Sequence, residues 1–370
     1  MMRTPPERDR PGRADVGGDD LVSFRAADFR APLASMLDCV ELIDSGDVSF
    51  AERQLYTTII RREGRRLVTM IDNALVLQGF ESGHRKLELT PVNLGSLVRR
   101  AVAAAGEDEA RPIVVQVESD LPLVSADPEA LHDALIRFLA NARRFSPDGG
   151  AIRISARPVG NMIEVHIRDH GIGIDPGALA GLFEKHYRPD HELRTLAPGA
   201  GFSLALNHRI VEEHGGRVRA ASKGPGRGAD FEFTLPLVQA GATSGDVLIV
   251  EDEAGFARLM KAELASHGLS AIRADDGETA EQLLAVVTPR AIVLDLALPG
   301  LEAEDFLARI WPRSPVRLPV VALAVRDMAS TEIAALETSG VIAVLPREAG
   351  APQAAATLIA HAIAAGGSAE

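Results

Sequence analysis

The sequence predicts a multidomain chain: a helical hairpin, then an α/β sandwich, then a doubly wound parallel α/β sheet. Three observations predict it. Apolar residues recur at steps of three and four through two long segments before residue 85. Alternating strand-like runs interleaved with helical ones follow, up to about Leu237. Beyond a small polar stretch, short Val/Ile/Leu runs alternate with helical segments roughly every 20 to 25 residues, the βα rhythm of a buried parallel sheet.

The first helix is expected from Leu21 to about Ser45, with Phe29, Leu33, Met36, Val40 and Ile43 on one face. "DSGDVS" breaks it with turn formers. The second helix runs from about Phe50 to Ser82, with Ile60, Leu67, Met70, Ala74 and Leu77 on its apolar face. Such a hairpin has an apolar stripe that its own segment does not cover, so pairing with a second copy into a four-helix bundle, a homodimer, is expected. The sandwich takes its strands from "KLELTPVNL", "PIVVQVE", "AIRISARPV", "MIEVHIRD" and "ADFEFTLPL". Its helices fall at about Leu94–Ala105, Pro128–Phe145 and Ser203–Glu213. The third domain's strands are "DVLIVED", "LSAIRADD", "AIVLDLALPG", "LPVVALAV" and "GVIAVLPR". The boundaries follow: a tail at 1–20, the hairpin at 21–84, the sandwich at 87–237, a linker at 238–245 and the third domain at 246–365.

Length and composition narrow the function classes. The 370 residues hold about two or three domains. A content of 46% hydrophobic and only 4% aromatic residues fits α/β domains built on Ala, Leu and Val. The net charge of -13 argues against nucleic-acid and anionic-membrane partners, both of which need a basic surface. The single cysteine, Cys39, reads as a packing residue in a reducing compartment. No run reaches the roughly 18–20 apolar residues of a membrane span. The Pro-, Gly- and charge-rich first 20 residues lack the apolar core of a signal peptide and predict a disordered tail. A cytoplasmic protein is expected, taking its input from a separate protein or through its third domain.

Three stations in the sandwich carry chemistry. In "LHDALIRFLANARRFSP", Arg137, Asn141 and Arg144 share a helix face beside the buried one. An amide between two cations suits a magnesium-bound polyphosphate, the amide oxygen meeting Mg²⁺ and the guanidinium groups meeting phosphate. An ordinary solvated face has the same look. In "RDHGIGIDP", Asp169 ends a strand and can accept from an exocyclic amine, while Gly171 and Gly173 let the backbone turn. In "APGAGFSLALNHRIVEEHGG", Gly199 and Gly201 lead into a helix N-terminus, a natural anion site. A long segment, Pro176 to Pro198, lies between these stations, and loops of that length are often lids.

The order of these stations, closed by "GPGRGADFEFTLP", resembles the ATP-binding domain of sensor histidine kinases, the GHKL or Bergerat fold. The resemblance implies ATP and Mg²⁺ as cofactors: Asn141 on the metal, Asp169 on adenine, Arg144 on phosphate, Phe183 in the lid, and Gly171, Gly173, Gly199 and Gly201 around the nucleotide. Two positions depart from the family pattern. Arg137 stands where the family has an earlier Asn, and Ser203 replaces the third glycine of its GxGxG loop.

The hairpin in turn resembles the dimerisation and phosphoacceptor domain of histidine kinases, whose first helix carries His-Glu-Leu-Arg-Thr-Pro-Leu. "ADFRAPL" aligns with that motif from Ala27 to Leu33, and Pro32 is the family's helix kink. Ala27 occupies the phosphoacceptor position, Asp28 the acid that orients the imidazole, and Ala31 the family's Thr. Histidine phosphorylation needs an unprotonated ring nitrogen in line with the γ-phosphate, and a methyl group has none.

In the third domain Glu251, Asp252 and Asp295 end parallel strands at one sheet edge, where such folds place their sites. Three acids together call for a hard cation such as Mg²⁺. This domain resembles a response-regulator receiver. The resemblance implies Asp295 as phosphoacceptor and Glu251, Asp252 and Asp295 around Mg²⁺, with Ala324 at the switch Thr/Ser position and Arg347 in place of the family's Lys. The histidines, among them His166 and His214, show no metal-ligand spacing and read as surface or structural residues. The whole therefore resembles a hybrid histidine kinase of two-component systems. Three readings follow: an active kinase, a pseudokinase scaffold that dimerises and regulates a partner kinase or response regulator, and a receiver phosphorylated by another kinase or phosphotransfer protein.

Overall fold

The computed structural model describes residues 26–118, 121–184, 202–238, 245–313 and 317–366. The expected tail at 1–20, most of the linker at 238–245, and the part of the lid after Glu184, including Gly199 and Gly201, lie outside the described residues. Two units divide the chain at Leu75/Val76.

The first unit holds most of a helical hairpin, whose second helix runs on across the boundary. Helix α1 covers Ala26–Asp44 with Pro32 inside it, and α2 covers Phe50–Glu81. Ser49 starts α2 with a capping box. Its hydroxyl accepts from the Glu52 N–H at 3.3 Å, while Glu52 accepts from the Ser49 N–H at 2.8 Å. The Ser49 hydroxyl, donating to the Glu52 carboxylate at 2.6 Å, and the Ser49 N–H hold that carboxyl below its ordinary pKa. The expected face of α2 is inward: Leu67, Met70, Ala74 and Leu77 are buried. The expected face of α1 divides in two. Pro32 and Cys39 are buried and Met36 and Ile43 half-buried, whereas Leu33 and Val40 stay 45% and 42% exposed. The reason is geometric: a single neighbouring helix covers one narrow stripe, and the expected set merged two adjacent stripes.

After α2 the second unit continues with a β-ribbon, β1 (Thr90–Val92) antiparallel to β3 (Val124–Ala126). The main sheet of the sandwich combines β2 (Ile113–Val117), β4 (Ile152–Val159), β5 (Met162–Arg168), β6 (Val218–Ala221) and β7 (Asp230–Pro236). Their order is β2-β4-β5-β7-β6, and β2/β4 is the parallel pair. Strict alternation puts Ile152, Ile154, Ile163, Val165, Ile167, Phe231 and Phe233 on the buried face. Helices α3 (Leu94–Ala105), α4 (Pro128–Arg144) and α5 (Phe202–Glu213) pack with that face into one core, where Phe138 stacks on Phe233 at 5.5 Å. Strands β3 and β6 were not expected from the sequence. "VSA" is too short for a period to show, and "VRAA" is alanine-rich, a weak strand former.

The receiver-like portion alternates β8 (Val247–Val250), α6 (Ala254–Ser266), β9 (Ala271–Ala274), α7 (Gly277–Val286), β10 (Ala291–Asp295), α8 (Ala303–Ile310), β11 (Val320–Ala324), α9 (Ser330–Thr338), β12 (Val341–Pro346) and α10 (Ala351–Gly366). The sheet order is β12-β11-β10-β8-β9, all parallel. Strands β8, β10 and β11 are wholly buried, which explains their unbroken apolar runs. The winding reverses between β8 and β10, so the crevice at their carboxyl ends is the natural site. The sheet thus agrees with the expected doubly wound parallel fold.

The sandwich and the receiver-like portion are joined by a polar seam. Arg99 pairs with Glu278 at 2.8 Å, Arg100 with Asp275, and the Ser96 hydroxyl donates to Asp276. Leu123 adds an apolar anchor, buried in the cluster of Leu248, Ile272 and Leu283. No described helix is long and apolar enough to cross a membrane.

Candidate functional site

The first site lies at the C-terminal half of α4. Asp127 caps the helix, accepting from the Glu129 and Ala130 N–H groups at 3.1 and 3.0 Å. Leu131, Leu135, Phe138, Leu139 and Ala142 then pin one face in the core. This turns Asn141 toward α5, where its amide donates to the Ser203 hydroxyl at 3.3 Å. The Asn141 side-chain Oδ1 accepts no hydrogen bond among the described residues, so it suits a hard cation. Arg137 pairs with Asp133 at 3.6 Å and donates to Asn207 Oδ1 at 3.4 Å. Arg144 stacks on Phe145 at 5.2 Å.

Asp169 follows β5 and is 5% exposed. Its Oδ1 accepts from the Gly171 and Ala229 N–H groups at 2.9 and 3.1 Å, which fixes the carboxylate plane. Oδ2 carries no hydrogen bond among the described residues and remains as an acceptor for a ligand amine. Burial pushes the Asp169 carboxyl above its ordinary pKa, against the pull of those two N–H donors. The glycines admit close backbone contacts. A Cβ at Gly171 would lie 1.9 Å from the Phe145 carbonyl oxygen, and one at Gly173, where φ is +72°, would lie 2.2 Å from the Gly224 carbonyl. Phe183 stacks on His208 at 5.5 Å and lies edge-on to Phe231 at 6.5 Å.

The second site gathers the three receiver acids. One carboxylate oxygen each from Glu251, Asp252 and Asp295 lies within 4.8 Å of the others. Glu251 and Asp295 are buried and Asp252 is exposed. Glu251 accepts from the Glu253 N–H at 2.8 Å, and Asp295 from the Ala297 N–H at 2.9 Å. Burial, with Asp295 beside it, raises the Glu251 pKa. Arg347 enters this cluster. Its guanidinium forks Glu251 at 3.0 and 3.3 Å, reaches Glu253 at 2.8 Å, and stands 3.5 Å from Asp295. Phe256 stacks beneath it at 4.5 Å. The acid set fits a divalent cation, and Arg347 already supplies positive charge there. Ala324, at the end of β11, offers a methyl group where a hydroxyl would sense a phosphoryl group.

Sequence similarity covers both domains that hold these residues. Residues 126–239 match the family described as histidine kinase-, DNA gyrase B- and HSP90-like ATPase, and residues 247–352 match the response regulator receiver domain. The chain has the domain organisation of a hybrid histidine kinase. The chain is 26% identical over 301 residues to the circadian input-output histidine kinase CikA of Synechococcus elongatus, covering 76% of this chain and 40% of that protein. It is 30% identical over 238 residues to the sensor-like histidine kinase SenX3 of Mycobacterium tuberculosis, covering 62% of this chain and 56% of that protein. It therefore spans about half the length, or less, of these relatives. Among solved structures it is similar to full-length ShkA in complex with AMPPNP, at 18% identity and a TM-score of 0.42, covering 90% of this chain and 97% of that one.

Some functional neighbours escaped the sequence reading. Ser222 locks the adenine-side loop, accepting from the Ile174 N–H at 3.0 Å and donating to the Gly228 carbonyl at 2.7 Å. No motif marks it. His214, buried, bridges α5 and α4: it accepts from the Asp127 N–H at 2.9 Å and contacts the Ile210 carbonyl at 2.7 Å. His166 sits between Glu164 and Asp230 at 2.8 and 3.2 Å, with Arg157 and Arg168 flanking. Glu164, His166 and Glu232 lie close enough to hold an ion, but both ring nitrogens are already engaged, which makes this a charge ladder across β5 and β7. The Asp28 side chain lies outside the description.

Proposed function

We propose that this hybrid-kinase chain binds ATP with Mg²⁺ in its sandwich domain, forms no phosphohistidine of its own, and receives phosphate on Asp295 from a separate kinase or phosphotransfer protein. One observation carries the reading: Ala27 stands in the H-box, five residues before Pro32, while the nucleotide station keeps its acid and amide. Adenine's exocyclic amine would donate to Asp169 Oδ2. Asn141 would hold Mg²⁺ through its side-chain Oδ1, and Arg144 would meet phosphate. The metal would spread the negative charge of the phosphates.

In the receiver, an Asp295 carboxylate oxygen would attack the phosphorus of a partner's phosphohistidine. The P–N bond breaks, a P–O bond forms, and the imidazole leaves with a proton from solvent. Glu251 and Asp252 would hold Mg²⁺ beside the transferred group. Ala324 has no hydroxyl to report that group, so output would run through changed charge at Arg347.

Dimerisation through the hairpin belongs to the same reading. Leu33, Leu37 and Val40 on α1, and Val68, Ile71 and Leu75 on α2, are large apolar residues left 42–62% exposed at helical spacing. A second copy would cover them. The test is incubation with γ-labelled ATP, then acid and base treatment. No label is expected on wild type, and base-stable, acid-labile label would overturn the proposal. Ala27→His is expected to gain that label. A partner kinase or acetyl phosphate is expected to label Asp295, and Asp295→Asn to abolish it.

A further inference from the structure

A cleft of about 300 Å³ opens between the sandwich and the receiver, within the second unit. It is walled by the Arg85–Leu97 stretch and the start of α4 on one side, and by α6, β9 and α7 on the other. Its volume sits at the lower end of small-molecule sites. It is distinct from the nucleotide station. Asn141 lies roughly 18 Å along α4 from Glu129 at the cleft, at 1.5 Å rise per residue.

The charges on its walls do not balance. Arg273 is spent on the Glu251 and Asp252 carbonyls at 2.9 and 2.7 Å and on Asp275 at 3.0 Å. Asp275 is shared with Arg100, and Asp127 caps α4 and accepts from the Glu88 N–H at 3.0 Å. Lys86, Arg258 and Lys261 make no hydrogen bond or ion pair with any described residue. Glu88 and Asp127 are the lining acids left without an ion pair among the described residues, and Asp127 is taken up by N–H donors. Three cations therefore face two acids, one of them already capping a helix. Arg258 and Lys261 stand three apart on α6, on one helix face.

A second observation points the same way. Asn93, 5% exposed, lines the cleft, and its Nδ2 is buried with no hydrogen-bond partner. Its Oδ1 is committed to the Ser96 N–H at 2.9 Å, so the amide cannot be turned to hide the donor. A buried donor without an acceptor costs free energy. Burial likewise lowers the Lys261 pKa, against the attraction of Glu88 and Asp275. Three cations and one unsatisfied amide thus belong to the walls of one concavity.

We propose that this cleft binds a small phosphorylated anion, about the size of a sugar phosphate or mononucleotide, contacting Lys86 from the sandwich and Arg258 and Lys261 from the receiver. A ligand held from both sides ties the receiver to the sandwich, and the charged seam beside it becomes harder to open. The proposal is independent of whether ATP is hydrolysed or histidine phosphorylated.

The experiment is isothermal titration of the full chain with inorganic pyrophosphate, in EDTA at low ionic strength. Wild type is expected to bind, the Lys261→Met/Arg258→Gln variant to lose at least tenfold in affinity, and Arg144→Gln, in the nucleotide station, to retain it. Failure of wild type to bind overturns the proposal. So does loss in Arg144→Gln with retention in the cleft variant, which puts pyrophosphate in the nucleotide station. Lys261→Met alone guards against misfolding. Without ligand it is expected to melt no lower than wild type, because burial of the ammonium outweighs the attraction of Glu88 and Asp275. Pyrophosphate is expected to raise the melting temperature of wild type and not of this variant; an equal rise in both would also overturn the proposal.

Discussion

Arg347→Gln tests the receiver site most sharply, because the guanidinium holds together acids that repel each other. Arg347 forks Glu251 at 3.0 and 3.3 Å and stands 3.5 Å from Asp295. Its contact to Glu253 involves a side chain 62% exposed and contributes little. Two unit charges 4 Å apart attract by about 4 kcal/mol at an effective dielectric of 20. Removing one partner from a buried pair costs about 3–5 kcal/mol, because the other charge stays desolvated. Glu251 relieves part of this by taking up a proton, since burial already raises its pKa. We therefore expect a loss near the lower end, about 3 kcal/mol. At roughly 4 °C per kcal/mol for a domain of this size, the receiver's melting temperature falls by about 12 °C in EDTA.

Magnesium supplies the contrast. In wild type the cation must compete with the guanidinium and binds weakly, so Mg²⁺ at a concentration that saturates the variant is expected to move the wild-type receiver's transition little. In Arg347→Gln the acids are left to the metal, and binding at 100 times its dissociation constant returns about 2.7 kcal/mol. Calorimetric melts with EDTA and with excess MgCl₂ read both effects. Arg347→Lys should fall between, keeping the charge and losing the fork. The reasoning is refuted if Arg347→Gln melts with wild type in EDTA, or if Mg²⁺ raises both proteins equally.

Other outcomes follow from the same contacts. Asp169→Asn should weaken ADP binding at least tenfold while leaving the ligand-free melting temperature at pH 7 unchanged or higher. The acid's raised pKa means that stability is greatest below the unfolded value of about 3.9 and falls as pH rises through the folded one; a lower melting temperature for the variant would contradict this. Gly171→Ala drives a Cβ to 1.9 Å from the Phe145 carbonyl, so a loss of about 1–3 kcal/mol and weaker ADP binding are expected in urea melts and titrations. For His166, burial works to lower the pKa, but Glu164 and Asp230 outweigh it and raise it. Its stabilisation is complete below the unfolded value of about 6.5 and is lost as pH rises through the folded one, so the stability gap between wild type and His166→Gln should shrink from pH 6 to pH 9. Leu37→Glu with Ile71→Glu charges the exposed hairpin stripe, and light scattering should then find monomer where wild type is dimeric.

What the sequence made legible follows from what leaves a periodic trace. The βα alternation after residue 246 was plain because β8, β10 and β11 are buried on both faces and so read as unbroken apolar runs. The sandwich strands showed through alternation, and α4 through its apolar face and its Asp-Pro start. The acids Asp169, Glu251 and Asp295 were visible because each ends or follows a strand. Contacts closed across long sequence separations left no such trace. Arg347 meets Glu251 from 96 residues away, and Ser96 meets Asp276 from 180. The glycines were visible as a motif while their reason was not, since only the folded chain shows that Gly171 clears the Phe145 carbonyl. The division of α1 has the same origin. Period alone marks every apolar position, and which stripe turns inward depends on how many neighbours the helix has. Leu33 and Val40 are exposed because a lone hairpin offers α1 one partner, and an apolar set wider than one partner can cover is what the proposed pairing with a second copy would require.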